Sequence, residues 1–122
     1  MLQQSVTVLP ASDLARARAF YHDVFGFDPS EEHEGLVSYR QSGMAFDIYE
    51  TTNAGTAKNT QMCFNTDDLD AEMAQLRDRG VVFEDYDFPG LKTVNGVAEM
   101  DEGRVAWFRD SEGNFLCLGT QQ

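Results

Sequence analysis

Part of this chain occurs twice, and that limits the folds open to it more than any other feature. Asp13-Leu14 opens a stretch with apolar residues at helical spacing, and Asp68-Leu69 opens a second one 55 positions later. The turn at Gly43 returns as the turn at Gly113, 70 positions later. The offset grows from 55 to 70, so the second copy is 15 residues longer, and the extra length falls between Tyr86 and Gly103. One strand-helix unit with a hairpin cannot bury its own sheet face; two copies can share a core.

The elements follow from residue type. Ser5-Val6-Thr7-Val8-Leu9 is β-branched and apolar and reads as a strand ending at Pro10. Ser12 or Asp13 can cap a helix over 13–25, with Leu14, Ala17, Tyr21 and Val24 on its buried face and Gly26 at its end. Leu36 to Arg40 and Met44 to Glu50 make a hairpin. The charged run Glu31-Glu32-His33-Glu34 reads as loop. In the second copy, Gln61 to Phe64 is a strand, and Asp67 or Asp68 caps a helix that Gly80 ends. Val81-Val82-Phe83 reads as a strand, and Arg104 to Arg109 with Phe115 to Leu118 as a second hairpin. Pro89-Gly90 and Asn95-Gly96 mark turns inside a long loop over 86–103. The expected architecture is α+β: two βαβββ modules forming a curved mixed sheet around a cleft, helices outside. It is one domain over 1–122, with module one about 1–52, a linker about 53–59 and module two about 60–122.

A chain of 122 residues fits this plan, and nine Phe, four Tyr and one Trp supply bulky core and pocket material. The net charge of −12 repels a phosphate backbone, so nucleic acid is not an expected partner, and neither is an anionic membrane. Acidic clusters at Glu31-Glu32, Asp67-Asp68 and Asp101-Glu102 serve solubility, or favour neutral or cationic ligands. No apolar run matches a membrane span and the first residues lack a signal-peptide pattern, so a cytoplasmic location is expected. Cys63 and Cys117 are too few for a disulfide framework, and two free thiols are expected.

Three stretches give the chain a family likeness. Val8-Leu9-Pro10-Ala11-Ser12-Asp13-Leu14 runs into Ala19-Phe20-Tyr21 and Phe25-Gly26-Phe27. Asp67-Asp68-Leu69 runs to Arg79-Gly80-Val81. Ala106-Trp107-Phe108-Arg109-Asp110-Ser111-Glu112-Gly113-Asn114 is the most specific. Together they resemble the vicinal oxygen chelate superfamily of glyoxalases, bleomycin-resistance proteins and ring-cleaving dioxygenases, over nearly the whole chain. Members with a metal hold it with four side chains, usually His and Glu, on the first and fourth strands of each copy. The resemblance puts Val6, Asp47, Gln61 and Cys117 at those positions. The repeat pairs them in the same way, Val6 with Gln61 and Asp47 with Cys117. Val6 cannot ligate, Gln61 offers a weak neutral oxygen, and Asp47 and Cys117 mix hard and soft preferences, so neither a metal nor another cofactor is expected.

Alternation along strands places Val8, Ala45, Tyr49, Cys63, Asn65 and Phe115 on the same side as those four positions, with Thr7, Leu9, Met62 and Phe64 under the helices. Of Trp107 and Phe108, one faces each way. The expected ligand-binding set is therefore Val6, Val8, Tyr49, Gln61, Cys63, Asn65, Trp107, Phe115 and Cys117. Asp47 is the candidate catalytic residue: a poorly solvated carboxylate could act as a general base or anchor a cation, or simply pair with a neighbour. Cys117 needs a neighbour to lower its pKa before it becomes a nucleophile, and otherwise fills space. The resemblance implies a homodimer that sequesters an aromatic or cationic small molecule. The alternative is a metal-independent lyase or isomerase with Asp47 as its base.

Overall fold

The computed structural model describes residues 1–101 and 103–120, so Glu102 of the acidic pair Asp101-Glu102 lies outside the described residues. Its elements run β1 (Thr7–Ala11), α1 (Leu14–Phe25), β2 (Glu31–His33), β3 (Leu36–Gln41), β4 (Met44–Glu50), β5 (Thr60–Thr66), α2 (Leu69–Asp78), β6 (Asp87–Phe88), β7 (Leu91–Val94), β8 (Val97–Met100), β9 (Gly103–Arg109) and β10 (Phe115–Thr120). This is an α+β fold of two βαβββ-like modules, each with its own mixed sheet, in the strand orders β1-β4-β3-β2 and β5-β10-β9-β8-β7-β6. Two compact units result: Met1–Ala57 with Asp110–Asn114, and Lys58–Arg109 with Phe115–Gln122. No helix among the described residues is long and apolar enough to cross a membrane.

In the first unit, Asp13 accepts the amide of Arg16 and starts α1, and Gly26 ends it at φ 76°. Ala17, Tyr21 and Val24 of α1 are buried, as are Leu9, Val37, Tyr39, Phe46 and Ile48 of the sheet. Tyr39 and Phe46 face each other across β3 and β4 with stacked rings 4.6 Å apart, and the Tyr21 ring lies 5.6 Å from Phe46. β1 runs on through Pro10 to Ala11, beyond the end expected from sequence. It is an edge strand, where a residue without an amide proton is tolerated. The run Glu31 to His33 is likewise a short, fully exposed edge strand rather than loop.

The turn 110–114 belongs to this unit and satisfies groups that would otherwise be buried bare. Asp110 accepts the amides of Glu112 (2.8 Å) and Asn114 (3.0 Å), the Asn114 side-chain amide (2.8 Å) and the Tyr21 hydroxyl (2.7 Å). Burial, together with the Asp110 carboxylate, pushes the Tyr21 hydroxyl well above its ordinary pKa. Glu112, whose side chain is wholly buried, accepts the amides of Ser12 (3.0 Å) and Asp13 (3.1 Å) at the foot of α1, and Arg16 meets it through Nε at 2.8 Å. Burial alone would raise the Glu112 carboxyl. The hydrogen bonds from Arg16, Ser111 and Asp13 and the charge of Arg16 outweigh burial and hold it at about 2.

In the second unit, Asp68 caps α2 through the amide of Ala71, and Leu69, Met73 and Leu76 are buried. So are Val81, Phe83, Ala106, Phe108, Leu116 and Leu118, with Phe83 edge-on to Phe108 at 5.4 Å. Residues 81–83 alternate buried, exposed, buried but form no ladder strand, contrary to the sequence reading; Glu84 instead gives its amide to Trp107 O at 2.8 Å. The expected loop over 86–103 holds β6, β7 and β8, which turn at Pro89-Gly90 and Asn95-Gly96. Asp85 secures them, accepting Thr93 Oγ1 (2.7 Å) and the Gly96 amide (2.8 Å).

Two stability measurements test this account. The Glu112 carboxyl falls from an ordinary 4.5 to about 2 on folding. A lowered folded value gives a contribution that is complete above the ordinary value and lost as pH falls toward the folded one. Glu112→Gln should therefore cost about 3 kcal/mol near neutral pH and flatten the acid limb of the stability curve between about pH 5 and 2; parallel acid limbs in the two proteins would sink the assignment. At Gly96, φ is +83° and a Cβ would stand 2.9 Å from the Phe83 Cβ. Gly96→Ala should cost about 2 kcal/mol or more in a denaturant melt, and an unchanged midpoint would count against the packing described.

Candidate ligand-binding site

The sheet register sorts the candidate residues into two groups. On the four-stranded sheet, Val8 faces Asp47 across β1 and β4, and Asp47 faces Ser38 across β3 and β4. Tyr49 lies two residues on and is 40% exposed, Val8 is 55% exposed, and Val6 is half-buried just before β1. Asp47 is not bare on this face. Arg40 Nη2 stands 2.9 Å from Asp47 Oδ1, and Arg40 is itself fixed by bonds from Nη1 to the carbonyls of Tyr39 (2.9 Å) and Phe46 (3.1 Å). The neighbour left open by sequence is therefore Arg40.

On the six-stranded sheet, Cys63, Cys117 and Trp107 form one row across β5, β10 and β9. Asn65 pairs with Gly119 and Phe115 with Arg109 in the neighbouring rows. Trp107 thus lies on the face opposite Phe108, as alternation requires. Gln61 sits where the β5–β10 register slips between Phe115 and Leu116, and its Oε1 accepts the Phe115 amide at 2.9 Å. Gln61 thereby satisfies a bulge that the ladder leaves open.

Trp107 and Phe115 open onto a pocket of about 410 Å³ whose other walls include Tyr86, Phe88, Glu84 and Arg109. The Trp107 indole is held by a bond from Nε1 to Thr60 Oγ1 at 3.1 Å, and the Tyr86 ring meets it edge-on at 5.8 Å. Phe88 is 5.8 Å from Tyr86 and 54% exposed at the rim. Arg109 lies over the Phe115 ring at 4.5 Å and pairs with Glu84 at 2.9 Å, while the Tyr86 hydroxyl donates to the same carboxylate. Burial, then the bond to Glu84, pushes the Tyr86 hydroxyl up to about 12, so it remains a protonated donor. The volume suits a small organic molecule, and the walls offer stacking faces with a few fixed polar groups. Of the residues expected from sequence, Trp107 and Phe115 line this pocket; Glu84, Tyr86 and Phe88 line it as well and were not among them, although their spacing of two residues was the available signal.

The donor set at the four metal positions fits a divalent ion poorly. Val6 has no donor atom, Gln61 Oε1 is taken by a backbone amide, and Asp47 is paired with Arg40. Cys117 is buried with its thiol pushed up, by its contact with Cys63 and by burial, away from the thiolate a metal needs. No group of three or more His, Cys, Asp and Glu side chains able to hold a metal ion occurs among the described residues.

The Glyoxalase/Bleomycin resistance protein/Dioxygenase superfamily profile matches residues 3–118. No curated protein sequence matches the chain significantly. Among solved structures, the antibiotic binding protein TnmS3 of a Streptomyces species is 25% identical, with 100% of this chain and 98% of that one covered at a TM-score of 0.69. The bleomycin-binding protein of bleomycin-producing Streptomyces verticillus, solved with copper(II)-bleomycin, is 21% identical over 100% and 98% of the two chains at 0.73. The fosfomycin resistance protein FosX of Listeria monocytogenes, solved with Mn(II) and sulfate, is 18% identical over 100% and 92% at 0.72. With the profile matched over nearly its full length and its fold shared end to end with these structures, the chain belongs to the Glyoxalase/Bleomycin resistance protein/Dioxygenase superfamily.

Proposed function

We propose that this protein binds a small aromatic molecule, neutral or cationic, without a metal, and holds it rather than transforming it. The observation that carries the reading is the pocket of Trp107, Phe115, Tyr86 and Phe88. Four aromatic side chains around one space of about 410 Å³ supply stacking and apolar contact, and Glu84 with Arg109 supplies a fixed polar edge. The net charge of −12 favours a cationic ligand over an anionic one. The similar structures from Streptomyces, an antibiotic binding protein and a bleomycin-binding protein, point the same way. In this reading the protein acts in the cytoplasm as a homodimer.

The competing reading, a lyase or isomerase with Asp47 as general base, meets an obstacle in Arg40. The Arg40 guanidinium stands 2.9 Å from Asp47 Oδ1, in the place that a substrate's proton would have to reach.

Trp107 is the only tryptophan, so its fluorescence reads the pocket directly. Planar aromatic compounds, cationic and neutral, should give saturable fluorescence changes and raise the melting temperature. Trp107→Ala should weaken binding by about tenfold or more, with the melting shift as its readout. Absence of saturable binding across such a panel, or undiminished binding by the Trp107 variant, would remove the proposal. The bound compound should be recovered chemically unchanged; turnover that Asp47→Asn abolishes would establish the catalytic reading instead.

A further inference from the structure

We infer that Cys63 and Cys117 form a dithiol that hydroperoxides oxidise to an intramolecular disulfide, with Cys63 the reacting thiol and Cys117 the resolving one. The pair does not depend on the aromatic pocket being a ligand site.

Three observations carry it. Cys63 and Cys117 are register partners in the parallel pair β5–β10, so both side chains leave the same face of the sheet. Adjacent strands lie about 4.8 Å apart, inside the range of Cα separations that a disulfide spans without backbone movement. The two thiols are near enough for each to shift the pKa of the other, while the Cys63 thiol donates to the Phe64 carbonyl at 3.7 Å. Their surroundings differ in the sense the chemistry needs: Cys63 is exposed, whereas Cys117 is 6% exposed. The neighbouring Cys117 thiol lowers the Cys63 pKa against the opposing effect of burial, while Cys63 and burial raise that of Cys117. The thiol that meets solvent is therefore also the one that ionises first, with a second thiol beside it, as in redox-responsive pairs. Gly119, two residues after Cys117, brings no side chain; its Cβ position would lie 3.9 Å from the Cys63 sulfur.

The reaction balances with a hydroperoxide as oxidant. The Cys63 thiolate attacks one peroxide oxygen and the O–O bond breaks. For hydrogen peroxide the departing hydroxide takes a proton and leaves as water; Cys63 becomes a sulfenic acid, oxidised by two electrons as the peroxide is reduced. The Cys117 sulfur then attacks the Cys63 sulfur. The S–O bond breaks, the hydroxide leaves with the Cys117 proton as a second water, and the S–S bond forms.

These are the only two cysteines, so a thiol count is unambiguous. Reduced full-length protein treated with hydrogen peroxide should lose both thiols together and two hydrogens of mass, remain a single chain on a non-reducing gel, and recover both thiols with dithiothreitol. Peptide mapping should join the Cys63 and Cys117 peptides. Trp107 occupies the same row beside Cys117, so its fluorescence should change in step with thiol loss. With Cys117→Ser, Cys63 should be trapped by dimedone as sulfenic acid; with Cys63→Ser, the remaining thiol should oxidise about tenfold more slowly or worse. A link between two chains, a gain of two oxygens on Cys63 with the Cys117 thiol intact, or undiminished oxidation of the Cys63 variant would each overturn the inference. The wild-type mass and peptide map decide the matter even if the Cys117 variant fails to fold.

Discussion

Glu112 concentrates in one carboxylate the problem that the first unit has to solve. A helix leaves its first amide groups without partners, and α1 packs against a sheet where water cannot serve them all. Asp13 answers for one, the amide of Arg16. Glu112 answers for those of Ser12 and Asp13, and the Arg16 guanidinium then neutralises the charge brought in. Asp110, two residues earlier, does the same for the turn and for the Tyr21 hydroxyl, which would otherwise be a lone polar atom among rings. Within the aromatic cluster of Tyr21, Tyr39 and Phe46, the Tyr21 hydroxyl is thus satisfied, while the buried Tyr39 hydroxyl has no hydrogen-bond partner among the described residues.

Much of the fold was legible because its determinants are local and repeated. Asp13 and Asp68 both cap helices, and Asn95-Gly96 turns where those residues can take positive φ. What escaped was decided by pairing partners far along the chain. Whether 81–83 is a ladder strand depends on a neighbour that no local pattern reveals; the extended residues are present and the ladder is not. Glu31 to His33 looks too charged for a strand, yet an edge asks little more than a partner for its backbone. The long interval after Tyr86 read as loop because β6, β7 and β8 are each at most four residues, too short to show a period.

The candidate site divides along the same line. Alternation assigned the faces of Trp107, Phe115, Cys63 and Cys117, because a strand has only two. It could not say that Asp47 would be met by Arg40, since that contact is made by a long side chain reaching along its own face. Nor could it supply Tyr86 and Phe88, which owe their place to a backbone bond between Glu84 and Trp107. Spacing fixes which way a residue looks, and tertiary contacts fix what it sees.

The cap on α1 also has a consequence in time. Arg16 and Glu112 are separated by 96 residues, and Asn114 reaches the Pro10 carbonyl across 104. A nascent chain presents α1 and the first hairpin long before it presents the carboxylates that complete them. Closing so long a loop costs entropy before any contact repays it. The first unit therefore becomes native only after residues 110–114 have been made, and synthesis order alone delays its completion.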